Sequence, residues 1–382
     1  MQLARVMLPI LLATIAVLPG AQAAQTNAPA APATPIKVDV IASGLDRPWG
    51  IEFLPDGSML VTEKPGRLRI VTADGELSKP IAGVPEVHAS GQGGLLDVRL
   101  APDFASSGTI YLSYAEPRGW FTSATAVARA RLVFDKENGS GRLDGLKVIF
   151  QQQPEQRTSH HYGSRIVPVS DGTLFITTGE RGNAALSQDP GAMLGKVIRI
   201  NPDGSIPADN PQAKGWAPGV WSFGHRNIQG AAIDPATGRL WTVEHGARGG
   251  DELNAPEKGK NYGWPIITYG RNYDGSKIGV GNAKEGLEQP VYYWDPSIAT
   301  SGLAIYNASL FPAWKGNFLV GGLSGARLSR LVMQNGAVVA EEVLLGDHGD
   351  RIRDVEIGPD GAVYVLVDDS NGRIMKLTPA SP

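Results

Sequence analysis

Two adjacent histidines, His160 and His161, stand in the run Ser159-His160-His161-Tyr162-Gly163-Ser164-Arg165-Ile166. Imidazole is the side chain best suited to move a proton near neutral pH. Glu180 follows in Thr177-Thr178-Gly179-Glu180-Arg181, at the end of the next expected strand pair. A hairpin there would return the carboxylate to His161, where it would orient the ring and stabilise its charged form. The plainer alternative is a surface ion pair between Glu180 and Arg181.

Three polar, glycine-punctuated segments lie farther on: Trp221-Ser222-Phe223-Gly224-His225-Arg226-Asn227-Ile228-Gln229-Gly230, then Glu244 to Asn254, then Gly259 to Pro265. Glycine lets backbone approach a ligand closely. Arg226, Asn227 and Gln229 offer planar hydrogen-bonding groups, and Asp251, Glu252 and the Gly246-Ala247 main chain offer oxygens to a hard cation. Such a set suits a flat, charged cofactor beside a metal; a solvated turn is the alternative for Asp251 and Glu252. Arg351-Ile352-Arg353-Asp354 puts two arginines on one side of an extended segment, a spacing that can clamp carboxylates or form rim salt bridges. Gly91-Gln92-Gly93-Gly94-Leu95-Leu96-Asp97 is glycine-rich but lacks a phosphate-loop lysine. No dinucleotide fingerprint, nucleophile elbow, zinc motif or twelve-residue calcium loop is present.

The elements that must position these groups repeat. Turn residues precede a strand at Pro55-Asp56-Gly57, Pro102-Asp103, Ser170-Asp171-Gly172, Asp234 to Gly238, Pro312 to Gly316 and Pro359-Asp360-Gly361. Each of these six turns leads into β-branched, aromatic and polar alternation, a hairpin signal. Sheet units repeated at this size predict an all-β, six-bladed propeller, with long loop insertions mainly between the third and fifth copies. A set of β-sandwiches sharing turn chemistry is the alternative.

The chain has 382 residues, 48 of them glycine and 28 proline, with a formal charge of −3. That balance leaves no basic footprint for nucleic acid. Residues 1–23 read as a cleaved signal peptide: Arg5, the apolar run Val6 to Leu18, and the small-x-small site Ala21-Gln22-Ala23. The run is short for a membrane anchor and no stable membrane insertion is expected. Residues 24–35 read as a flexible leader, and 36–382 as a single propeller domain in the periplasm or secreted. With no cysteine, stability must come from core, metal or assembly.

Taken together, the Gln92 loop, His-x-Gly-Ser-Arg, Gly-His-Arg-Asn-x-Gln-Gly, Glu-His-Gly-x-Arg-Gly-Gly-Asp-Glu, Asn-Tyr-Gly-Trp-Pro and Arg-Ile-Arg-Asp resemble the glucose/sorbosone dehydrogenase family. The likeness is closest to its soluble aldose sugar dehydrogenases, which use pyrroloquinoline quinone (PQQ). The resemblance implies a six-bladed propeller that oxidises aldose sugars at C1 and passes electrons to an acceptor the sequence does not identify. It implies His161 as general base, Glu180 as its acidic partner, and Arg226 and Asn227 at the reactive quinone oxygens. Gln92, His245, Tyr273, Gly322, Leu323, Ser324 and Ile352 match the cofactor pocket, and Arg351 and Arg353 its carboxylate clamp. The carbonyls of Gly246 and Ala247 match ligands of the cofactor's calcium (Ca2+), and Glu252 and Tyr262 ligands of a second, structural calcium. Ser324 stands where many relatives carry lysine; Arg327 is a candidate to compensate. Two other readings remain at this stage, a calcium-dependent propeller lactonase and a non-enzymatic sugar-binding propeller.

Overall fold

The structure, a computed structural model, describes residues 26–380; the expected signal peptide lies outside them. The described residues form six antiparallel sheets. We number them as blades: blade 1 spans 48–71, blade 2 95–151, blade 3 163–223, blade 4 228–294, blade 5 300–344, and blade 6 352–379 together with the strand Ile36–Leu45. The ring closes because Ile36–Leu45 pairs antiparallel with Gly372–Pro379, Val38 opposite Leu377 and Val40 opposite Met375. Joining the two chain ends in one sheet removes the exposed edge an open array would carry.

The six repeated turns all sit at the same place. Each precedes the second strand of its blade: Met59–Glu63, Thr109–Gly119, Leu174–Thr178, Leu240–Glu244, Phe318–Gly322 and Val363–Val367. Five of these are buried end to end. The alternation that would mark a half-exposed strand here divides residues between two buried faces. Val363, Val365 and Val367 pack toward blade 5, whereas Tyr364 and Leu366 pack toward blade 1. Leu174 and Ile176 face blade 2, and Phe175 faces blade 4. One apolar cluster fills each gap between neighbouring blades.

The axis is polar. Arg165, 1 % exposed, lies between two buried carboxylates, with Nη1 3.2 Å from Asp97 Oδ1 and Nη2 2.8 Å from Asp354 Oδ1. Its Nε donates to the Gln229 carbonyl at 2.7 Å, and its guanidinium carbon sits 4.3 Å from the Trp49 ring centroid. One side chain thus ties together strands of blades 1, 2, 3, 4 and 6.

The leader expected to be flexible is docked from Ala28 onward. Ala28 N–H donates to Tyr292 Oη, Ala31 N–H to the Glu341 carbonyl, and Thr34 Oγ1 to Glu342 Oε2 at 3.0 Å. Blades 4 and 5 offer it main-chain and carboxylate acceptors, so a polar, proline-rich segment is held without a sheet of its own.

Candidate active site

The second strands of the blades deliver side chains to one end of the axis. In blades 1, 4, 5 and 6 the residue straight after that strand is Lys64, His245, Leu323 and Asp368, and all four line a cavity of about 320 Å³ that receives residues from every blade. In blade 3 the corresponding residue is Gly179, followed by Glu180.

His161 sits on the rim beside Gln92, Tyr162 and Gly163, which line the cavity. Its φ of 58° is left-handed, a conformation that costs energy and persists where surrounding contacts impose it. Its N–H donates to Gln92 Oε1 at 2.8 Å. Its Nδ1 contacts Glu180 Oε1. A Cβ on residue 179 would lie 1.9 Å from the His161 carbonyl oxygen, so glycine is required there. Because a carboxylate only accepts, Nδ1 carries the proton and Nε2 keeps its lone pair. Burial holds the imidazole below its usual 6.5; Glu180 pulls the other way, and Arg226 adds to the lowering. The lowering favours the neutral ring. Arg181 does not pair with Glu180: its Nε and Nη1 donate to the carbonyls of His160 and Ser123, and its guanidinium stacks 3.6 Å from the Tyr162 ring.

Arg226 is positioned through its backbone. Its N–H donates to Glu244 Oε2 at 2.6 Å, while Glu244 Oε1 contacts His225 Nδ1 at 2.9 Å and His225 Nε2 contacts Ser222 Oγ at 2.9 Å. The Ser222–His225–Glu244 chain has the contact order of a hydrolytic triad. Ser222 and His225 have no exposed surface, and His225 stacks on Tyr262, so its work is to hold the Arg226 loop. Arg226 Nε and Asn227 Nδ2 are buried donors without a partner among the described residues. Unmet buried donors are costly; Arg226 borders a smaller void beside Glu244, whereas Asn227 lines neither that void nor the large cavity.

Arg353 and Arg351 both reach Asp368 Oδ2, at 2.9 and 3.5 Å. Although burial works against it, Arg353 and then Arg351 hold the Asp368 carboxyl below the usual carboxylate range. Arg353 Nε has no partner among the described residues. Three cations, Lys64, Arg351 and Arg353, face one carboxylate on the cavity wall, a formal excess of two positive charges that fits a polycarboxylate ligand. His245, whose Nε2 lies 2.8 Å from the Thr300 carbonyl, is pushed down to about 4 by burial and stays neutral.

His245 also borders a smaller void of about 10 Å³ with Arg226, Glu244, Gly246, Glu252 and Tyr262. Glu244 and Glu252 meet there across Asn254 Nδ2, at 3.1 and 3.0 Å. Burial, and then the neighbouring Glu244, push Glu252 up to about 8. Two carboxylates, Glu244 buried and Glu252 half-buried, beside a space of one ion suit a hard cation. Among the described residues no group of three His, Asp or Glu could hold a metal, so a cation in this void also needs main-chain oxygens. Tyr262 Oη is committed to the Ala255 carbonyl and the Glu257 N–H, which leaves its carbonyl to offer. Asp251 is used otherwise: Oδ1 accepts from Gly246 N–H and Ser297 Oγ, and Oδ2 from Ile298 N–H.

Some expected pocket residues lie elsewhere. Tyr273 is 76 % exposed on the blade 4 insertion and borders neither space. The Ile352 side chain is packed in the core between blades 5 and 6, because alternation along the strand sends Arg351 and Arg353 one way and Ile352 the other. Gly322 is buried behind Leu323, and Ser324 is exposed with Oγ 3.4 Å from the Ser297 carbonyl. Arg327 is not in the lining. Gln229, expected among the polar groups, does line the cavity, whereas sequence reasoning missed Trp49, Lys64, Tyr162 and Asp368. The six copies held a signal for two of them, since Lys64 and Asp368 directly follow the repeated strand, as His245 does.

The sequence profile described as Glucose / Sorbosone dehydrogenase matches residues 45–376. The chain is 45 % identical over 355 residues to the aldose sugar dehydrogenase YliI of Escherichia coli, covering 92 % of this chain and 94 % of that protein. The crystal structure of the soluble aldose sugar dehydrogenase of Escherichia coli in its apo-form superposes with a TM-score of 0.87 at 43 % identity, covering 90 % of this chain and 100 % of that one. The PQQ-bound form of an aldose sugar dehydrogenase from Streptomyces coelicolor superposes with a TM-score of 0.75 at 31 % identity, covering 91 % and 99 %.

Proposed function

The chain belongs to the glucose/sorbosone dehydrogenase family, and from that premise we propose that it is a PQQ-dependent aldose sugar dehydrogenase that oxidises aldoses at C1 to lactones outside the cytoplasm. The observation that carries this reading is a carboxylate-backed imidazole at the rim of a cavity with excess positive charge, in which Arg353 Nε has no partner among the described residues. A lactonase acting on a neutral ester has no use for that charge.

When bound, the quinone supplies the two-electron acceptor for hydride, and calcium the Lewis acid that makes it more electrophilic. Arg351, Arg353 and Asn227 would hold the cofactor, and Arg226 would lie where negative charge develops. The carbonyls of Gly246 and Ala247 would contribute to one calcium, and Glu252 with the Tyr262 carbonyl to a second. His161 Nε2 takes the proton of the anomeric hydroxyl as hydride leaves C1. Glu180 keeps Nδ1 protonated and stabilises the imidazolium that results. Gln92 fixes the His161 backbone, so the base meets the hydroxyl in one orientation. Residues 1–23 would direct export, with the electron acceptor met in the same compartment.

The test is reconstitution. Purified apoprotein given PQQ and calcium should reduce a dye in an aldose-dependent manner and release lactone. Silence of the loaded protein with a panel of mono- and disaccharides would reject the proposal.

A further inference from the structure

Lys64 has a setting that the arginine clamp does not explain. Its backbone is fixed on both sides: its N–H donates to the Arg47 carbonyl at 3.1 Å, and its carbonyl accepts from Leu95 N–H at 3.1 Å. Its Nζ donates to the Gly91 carbonyl at 2.8 Å, and no salt bridge involves it among the described residues. The adjacent carboxylate, Glu63, is committed to Arg67 Nε at 2.8 Å and Asp46 N–H at 2.6 Å. An ammonium has three donors, so two remain for a ligand or solvent on the wall of the 320 Å³ cavity. Burial first, and then Arg353, Arg47 and Arg351, push this ammonium below the ordinary lysine value, with Asp368 opposing. A surface lysine gathered for solubility would not be held by its backbone against two arginines. Like charges brought together at a cavity wall destabilise the empty site and are relieved when an anion enters.

We propose that Lys64 is the third cationic arm of the anion clamp and binds a carboxylate of the cofactor, so that blade 1 supplies the charge that the exposed Ser324 of blade 5 does not. The proposal rests on the reading of the cavity as a PQQ site. It also accounts for why Lys64, His245, Leu323 and Asp368 share one position in their blades: in four of the six blades the repeat presents a side chain to the same cavity.

The test is equilibrium binding of PQQ to apoprotein in excess calcium, followed by quenching of tryptophan fluorescence, for the wild type, Lys64→Met and Lys64→Arg. Loss of a charge-assisted hydrogen bond should weaken binding by about ten- to a hundredfold in Lys64→Met, with wild-type thermal stability of the apoprotein retained or raised. Lys64→Arg should bind within a few-fold of the wild type. Lys64→Met binding as tightly as the wild type, or Lys64→Arg binding as poorly as Lys64→Met, would overturn the assignment of Lys64. Failure of the wild type itself to bind PQQ would instead overturn the reading of the cavity.

Discussion

The side-chain carbonyl of Gln92 accepts the backbone N–H of His161 at 2.8 Å. A residue expected to line a pocket thus also fixes His161, and it does so from the loop between blades 1 and 2. His161 is held from above by Gln92, from the side by Glu180 and from behind by the absent side chain of Gly179. This arrangement explains how a left-handed histidine persists at the mouth of a rigid ring.

Replacing Gln92 with alanine should therefore act on the chemical step. Turnover at saturating PQQ and sugar should fall by roughly ten- to a hundredfold, the effect expected of a misplaced catalytic group. Steady-state kinetics on the reconstituted enzyme measure it. Unchanged kcat would show that the His161 backbone needs no such restraint.

His161→Ala should lose about two to four orders of magnitude in kcat. The wild-type rate should fall on the acid side as His161 gains a proton, and because burial lowers its pKa that limb should lie below 6.5. Glu180 favours the charged ring, so Glu180→Gln should move the limb to still lower pH while reducing the plateau by about tenfold or more. An acid limb that rises in pH in Glu180→Gln would contradict the pairing.

Arg165 separates Asp97 from Asp354 on the axis. Arg165→Met leaves two buried carboxylates without their shared cation and should cost about 3–5 kcal/mol of stability, read from urea unfolding. Burial already raises the Asp97 carboxyl above its usual range, with Arg99 and Arg165 opposing. Arg165→Met combined with Asp354→Asn should recover part of the loss, a coupling that a double-mutant cycle detects.

Glu244 and Glu252 repel one another in a buried space with room for one ion. Calcium should raise the melting temperature of the wild type, since a ligand of the folded state alone stabilises it, and chelation should reverse the gain. Glu252→Gln should melt higher than the wild type in chelator and gain less from calcium. A variant whose calcium response equals that of the wild type would place the ion elsewhere.

The propeller was legible because its signal is local and repeated. Turn chemistry at six places and the strands that follow are properties of short segments, and the structure puts each at the second strand of a blade. The His161–Glu180 contact was within reach for the same reason, since one hairpin joins them. The pocket was legible only in part. The resemblance matches Tyr273 and Ile352 to the cofactor pocket, yet one stands in solvent and the other in the core.

The repeated turns by themselves predicted the blade number, and local spacing put Glu180 within reach of His161 and paired Arg351 with Arg353 on one side, because each depends on neighbours along the chain. The tertiary structure alone decided that Lys64 and Asp368 join that pair, that Arg165 seals the axis, and that Gln92 restrains His161. Asp368 reaches Arg353 across one hairpin of blade 6, whereas the other contacts join different blades or the loops between them, and the ring is what brings those together.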